Sequence, residues 1–273
     1  MTESVFTLDP VPEIHLACAP LVKVLMQVPF SRTPELISDH AERRLAERLR
    51  RYPVRRHGTT LDVSVGLVPG LVQRAETPVR VFTEPTGAWQ VSVTETSVAL
   101  ETATYDTRDD FCQRAREVLD AAASVALPPI VDRVGLRYVD RLQGEALARL
   151  HDYIEPPLRV LHGMVGADLE VEHSVSDTLI RLADDERLRV RSGLLPPGGS
   201  FDPVLPLASE PSWVLDLDVF TVRGGFPFDP ERLDERLRRY AAHMYAFFRF
   251  ATTDAFQEDF KAPAGAPSGG RLP

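Results

Sequence analysis

Lysine is nearly missing from this chain: Lys23 and Lys261 are the only two in 273 residues, so almost all positive charge is arginine. Abundant Ala and Pro accompany the bias, which fits codon usage, and the arginine excess carries no functional weight by itself. Cysteine is scarce too. Cys18 and Cys112 lie far apart, with no CxxC and no His spacing of a zinc site. Long apolar runs are absent, and the opening "MTESVFTLDPVPEIHLACAP" is acidic before it is apolar and has no basic leader, so neither a signal peptide nor a membrane anchor is expected. The formal charge of -9 counts against a general nucleic-acid binder, which needs a basic footprint to displace counterions. The expected setting is a cytoplasmic protein with reduced thiols, no membrane contact and no nucleic-acid partner.

Catalytic motifs are missing as well. Gly198-Gly199-Ser200 in "LPPGGSFDP" is flanked by prolines and opens no helix, so it reads as a loop between strands and not as a phosphate cradle. A G-x-S-x-G elbow is not present. Asp216-Leu-Asp218 and Glu170-Val-Glu172-His173 place carboxylates two apart, yet neither brings a third metal ligand at a definite spacing. His243 falls on an apolar helical stripe and reads as a core histidine bonded to a carbonyl. No metal and no cofactor are therefore expected.

What is present is a globular composition, 44% hydrophobic and 26% charged. Three segments carry helical periodicity with marked starts. The first takes Thr33 as cap, Pro34 next, and a stripe of Ile37, Ala41, Leu45, Leu49 and Tyr52. A second takes Thr107 as cap with Phe111, Ala115, Val118, Ala122 and Val125 inward. The third takes Asp229 as cap with Leu233, Leu237, Tyr240, Met244 and Phe247 inward. Between them the period changes to two, as half-buried strands require: "PLVKVLMQVPF" with Val22, Val24, Met26 and Val28 on one face, "TTLDVSVGL", the hairpin "WQVSVTETSVALET", "ADLEVEH", the hairpin "SDTLIRLADDERLRVRSG" and "SWVLDLDVF". The fold class expected is α+β, a mostly antiparallel sheet with one face covered by three amphipathic helices. Residues 1–261 read as one unit, with a division into two related halves, 19–130 and 131–261, suggested by the similar helix starts "TPEL" and "DPERL". Residues 262–273 read as a flexible tail.

"DRVGLRYVDRL", residues 132–142, reads as one strand with Val134, Leu136, Tyr138 and Leu142 on one face and Arg133, Arg137 and Arg141 on the other. The outward faces of its neighbours carry Asp168, Glu170 and Glu172, then Arg187, Arg189 and Arg191, then Asp216 and Asp218. Signs alternate from strand to strand, and a solvated charge ladder is the plain reading. The functional reading makes the same face a recognition surface, with Arg133, Arg137, Arg141, Arg189, Asp216 and Asp218 as candidates and Gly135 admitting a close approach. The last helix also holds Tyr245, Phe248 and Phe250 beyond its inward stripe. Either a homodimer contact or cover within the chain, from the first half's sheet or from "TTDAFQEDF", accounts for them.

"APLVKVLMQVPF", the hairpin followed by "ETATYDTRDDF", "RVGLRYVDRL" and "YAAHMYAFFRFATTDAFQEDF" resemble, in that order, the marks of a sporadically distributed, uncharacterised prokaryotic family of about this length. Its distinctive motif is Val134-Gly135-Leu136-Arg137-Tyr138, which its members continue with Ile-Asn where this chain has Val139-Asp140. The resemblance implies one integral unit and, from sporadic distribution, an accessory or defence-type setting; it implies no activity. The resulting expectation is a non-catalytic binding or adaptor protein meeting a protein partner or a second copy of itself. The alternative is an enzyme acting on an anionic or phosphorylated small molecule held by Arg137 and its neighbours, with Asp216 or Asp218 as base or metal ligand.

Overall fold

The computed structural model describes residues 6–9, 11–14, 16, 18–65, 72–159 and 171–261; the expected tail and two expected ladder members, Asp168 and Glu170, lie outside them. In chain order the elements are β1 (Leu21–Pro29), α1 (Asp39–Arg48), β2 (Val54–Val65), β3 (Val72–Thr83), β4 (Trp89–Val93), β5 (Ser97–Thr102), α2 (Arg108–Val125), β6 (Ile130–Val131), β7 (Gly135–Leu142), α3 (Gly144–Ala148), α4 (Leu150–Tyr153), β8 (Ser174–Arg181), β9 (Glu186–Leu195), β10 (Ser212–Thr221), β11 (Phe226–Pro227), α5 (Pro230–Ala251) and α6 (Asp254–Phe260). Nine strands form one sheet in the order β2-β3-β4-β5-β1-β7-β10-β9-β8. Every neighbouring pair in it is antiparallel. The protein is thus α+β, built on a large antiparallel sheet.

The element order runs twice through strand, helix, antiparallel meander, helix. The first pass is β1, α1, β2 to β5, α2; the second is β7, α3 and α4, β8 to β10, α5. In each pass the last strand of the meander pairs with the opening strand, β5 with β1 and β10 with β7. The two opening strands then pair with each other at mid-sheet. One face of this sheet meets the helices in a continuous apolar core that includes Val24, Met26, Leu136 and Leu217 from the strands and Leu45, Phe111, Leu237 and Met244 from α1, α2 and α5.

Capping chemistry sets the helix starts. Thr107 Oγ1 accepts the Asp110 amide at 3.1 Å, and Asp229 Oδ1 accepts the Glu231 amide at 3.0 Å, both at the expected positions. The start of α1 differs. Pro34–Ile37 forms a single 3-10 turn, and Ser38, not Thr33, caps the α-helix by accepting from Ala41 at 3.1 Å. That break rotates the stripe, so Leu36 is buried in place of Ile37. β1 also departs from strict alternation. Its pairing with β7 shifts register between Leu21 and Lys23, a bulge that sends Val22 to the far side of the sheet, against Val139 and Val214. "DRVGLRYVDRL" is strand only from Gly135 onward, and Val171–His173, the described part of "ADLEVEH", is not strand.

At the edge, Gly193 of β9 faces Val175 of β8, and a Cβ at Gly193 would fall onto the carbonyl of Ser174. Gly193→Ala is expected to push the edge strand away, lowering stability by about 2 kcal/mol and accelerating amide hydrogen exchange in β8 selectively. Unchanged exchange in β8 would show that the close approach is not required.

Candidate functional site: a closed ion cluster and an open cavity

The arginine row divides into two unlike parts. Register places Asp218 directly opposite Arg137 and Asp216 opposite Val139, but the guanidinium of Arg137 reaches diagonally. Its Nε donates to Asp216 Oδ1 at 2.7 Å and its Nη2 to Asp216 Oδ2 at 2.9 Å. Arg191 approaches the same carboxylate from β9, Nε to Oδ2 at 2.9 Å. Asp202, in the connection between β9 and β10, closes the square, 3.0 Å from Arg191 and 3.3 Å from Arg137. Two arginines and two aspartates therefore neutralise each other, and Asp216 is 1% exposed.

This corrects the solvated ladder. The connection 196–211, which carries the loop expected in "LPPGGSFDP", folds back over the outer face and buries its middle. Phe201 stacks under the Arg191 guanidinium, with 4.6 Å between the guanidinium carbon and the ring centre. Leu205 packs on Val139, Leu195 and Val214, and Arg141 donates to the Pro206 carbonyl. Asp202 Oδ1 also accepts the Val204 amide at 2.8 Å. Burial opposes the charge on Asp202, but that amide and the two arginines outweigh it and hold the carboxyl below its usual value. Only the flanks match a surface ladder: Arg189 pairs with Asp177, both about 43% exposed, and Arg133 donates to Asp218 at 3.2 Å while lying over Phe220. Gly135 is not a close-approach site, since a Cβ there would sit in ordinary contact, 3.7 Å from the Arg133 guanidinium.

The other candidates have definite places. Tyr245, Phe248 and Phe250 are half-buried against this chain's own segments. The Tyr245 hydroxyl accepts the Ile14 amide at 2.7 Å, Phe248 meets Phe256 of α6, and Phe250 meets Phe6. His243 differs from the bonded core histidine expected: its Nδ1 has no hydrogen-bond partner among the described residues, and burial lowers its pKa. Among the described residues no group of three or more His, Cys, Asp and Glu could hold a metal ion.

The inner face contains what the sequence reading passed over. A cavity of about 250 Å³ opens between β7, β10, α5, the approach to α2 and the N-terminal segment. It exists because the β1 bulge turns Leu21 into its wall, and because α5 presents the small Ala241 where a larger side chain would fill the space. Tyr138 and Asp140 of β7 line it together with Leu217, Met244 and Tyr105. The Tyr138 hydroxyl donates to that of Tyr105 at 3.4 Å. Asp140 is 6% exposed, and its carboxyl has no hydrogen bond or ion pair among the described residues. Burial pushes this carboxyl up from the usual 3.8 to about 7, and the Asp216 carboxylate adds to the shift. The signal was in the alternation itself: Asp140 shares parity with Leu136, Tyr138 and Leu142, a charge in the apolar phase.

Two outcomes follow. Arg137→Ala or Asp216→Ala strands a buried charge and is expected to cost about 3–5 kcal/mol in urea unfolding, whereas Arg189→Ala at the solvated flank should cost at most about 1 kcal/mol. Equal losses at both positions would contradict the buried cluster. Because the folded-state pKa of Asp140 is raised, its contribution is most favourable below the unfolded value and is lost as pH rises from about 4 to about 7. Among the described residues, the other charged and titratable groups lining the same cavity are Glu13, Arg108, Asp106 and the tyrosines 105, 138 and 245. Asp140→Asn should therefore gain stability over the unmodified protein progressively between pH 5 and pH 8; a pH-independent difference would contradict the shift.

Set against known proteins, the chain matches no family model and no curated protein. The geometry of the molecule alone carries the functional reading.

Proposed function

We propose that the protein is a non-catalytic binding protein whose recognition site is the cavity on the inner face of the sheet. The observation that carries this is the cavity itself: about 250 Å³ of space, far above the ~10–15 Å³ that one water needs, with apolar and aromatic walls and a few polar groups. That composition is the usual one for a small-molecule site. Among the described residues that line it, none forms the nucleophile-and-base pair that covalent catalysis requires.

The alternatives fit less well. An anion held by Arg137 would have to displace Asp202 and Asp216 from two arginines beneath a packed loop. A homodimer through Tyr245, Phe248 and Phe250 would have to strip the N-terminal segment and α6 from the helix. Binding into the cavity needs neither rearrangement.

The test uses the neighbouring alanines of α5. Ala241 is 1% exposed and lines the cavity, whereas Ala242 does not. Fragments found by ligand-observed NMR should bind the unmodified protein and Ala242→Leu alike, and bind Ala241→Leu about tenfold more weakly as the added methylenes occupy the site. Fragments indifferent to Ala241→Leu would place recognition elsewhere.

A further inference from the structure

The inference below rests on the reading of the cavity as the binding site and names its ligand class. A carboxyl that is more than nine-tenths buried, faces open space and has no partner among the described residues is an incomplete interaction. Burying a carboxylate without a donor is costly, and the site becomes satisfied only when something supplies hydrogen-bond donors or positive charge. The remaining charges decide which. Glu13 is neutralised by Arg108, whose guanidinium lies 2.7 Å away. Asp106 is exposed at the rim. Among the described residues, Asp140 is therefore joined by one further uncompensated acid, and no uncompensated base lines the space.

The rings point the same way. Tyr105 and Tyr138 meet edge to face with centroids 5.5 Å apart, and with Tyr245 and Phe248 they give the cavity an aromatic wall. Electron-rich ring faces attract cations and repel anions. Leu217 and Met244 supply apolar surface for a hydrocarbon body. The net charge of -9 favours the approach of a cation from solution. We infer that the cavity binds an organic ammonium ion, its charged end on the Asp140 carboxylate and its hydrocarbon part against Leu217, Met244 and Phe248. Ionisation of Asp140 is then coupled to occupancy: the ammonium favours the carboxylate, which burial alone disfavours.

Phenethylamine and phenethyl alcohol have nearly the same shape and differ in charge, so the pair isolates the role of Asp140. Calorimetric or NMR titration of the full chain at pH 8 should show the amine preferred by about tenfold or more. Asp140→Asn should bring that ratio close to one while leaving alcohol binding in place. In the unmodified protein the amine should bind more tightly as pH rises from 5 to 8, and in Asp140→Asn it should not. Equal binding of both probes, lost in Ala241→Leu, would overturn the ammonium inference and leave the cavity reading standing. Absence of binding by either probe, or binding untouched by Ala241→Leu, would overturn the inference, and fragments that likewise ignored Ala241→Leu would remove the cavity reading with it.

Discussion

The outer-face packing around β7 answers to one constraint, that this strand is buried on both faces. It sits at mid-sheet between β1 and β10, and seven of its eight residues are buried. Yet the strand carries Arg137, Asp140 and Arg141, and desolvating an ion costs several kcal/mol unless partners compensate it. Those partners come from far along the chain. For Arg137 and Arg141, Asp216 arrives on β10 and Asp202 and the Pro206 carbonyl on the connection between β9 and β10, while Arg191 on β9 shares both carboxylates; Asp140 gains no such partner among the described residues. The position of loop 196–211 is thus dictated by the charges beneath it as much as by the packing of Phe201 and Leu205.

How much of this was legible from the sequence depended on the range of the interaction. Local chemistry was readable: Thr107 and Asp229 announce α2 and α5 because a cap acts across three residues. Alternation fixed the faces of β7 and β10 because parity is a property of one strand. The start of α1 was misread by one turn, since Thr33-Pro34 and Ser38 are both acceptable cap signals and the short 3-10 turn lies between them. The burial of Arg137 was out of reach, because it depends on a sixteen-residue connection returning over the sheet, which no periodicity encodes. The cavity needed three distant features at once: a bulge in β1, a small residue on α5 and the course of the N-terminal segment.

The nine-strand sheet also explains why one strand holds both arrangements. β1 and β7 open the two strand-helix-meander-helix passes and meet back to back at the centre. Helices α2 and α5, which close the two passes, pack against each other above that seam. Where they separate from the sheet, near the start of α2 and the middle of α5, space remains for the cavity. On the opposite face the meander of the second pass is long enough at its β9–β10 turn to cover the seam. The first pass turns tightly there between β4 and β5, with only Thr94–Thr96 between them, and supplies no such cover.

Asp140 and Asp216 lie on neighbouring strands and on opposite faces, and the contrast between them is the strongest argument that the cavity is more than a packing defect. Both are buried acids. Asp216 has two guanidinium groups around it, so removing it would leave positive charge stranded. Asp140 has none among the described residues, and its own burial works against its charge. For stability alone, an apolar residue of similar size would serve better at that position. Sites where local environment and residue type disagree are where functional groups concentrate. A cation entering the cavity would reverse the disagreement, turning the one destabilised carboxylate on β7 into a paired one, and by linkage the native state would gain the binding free energy.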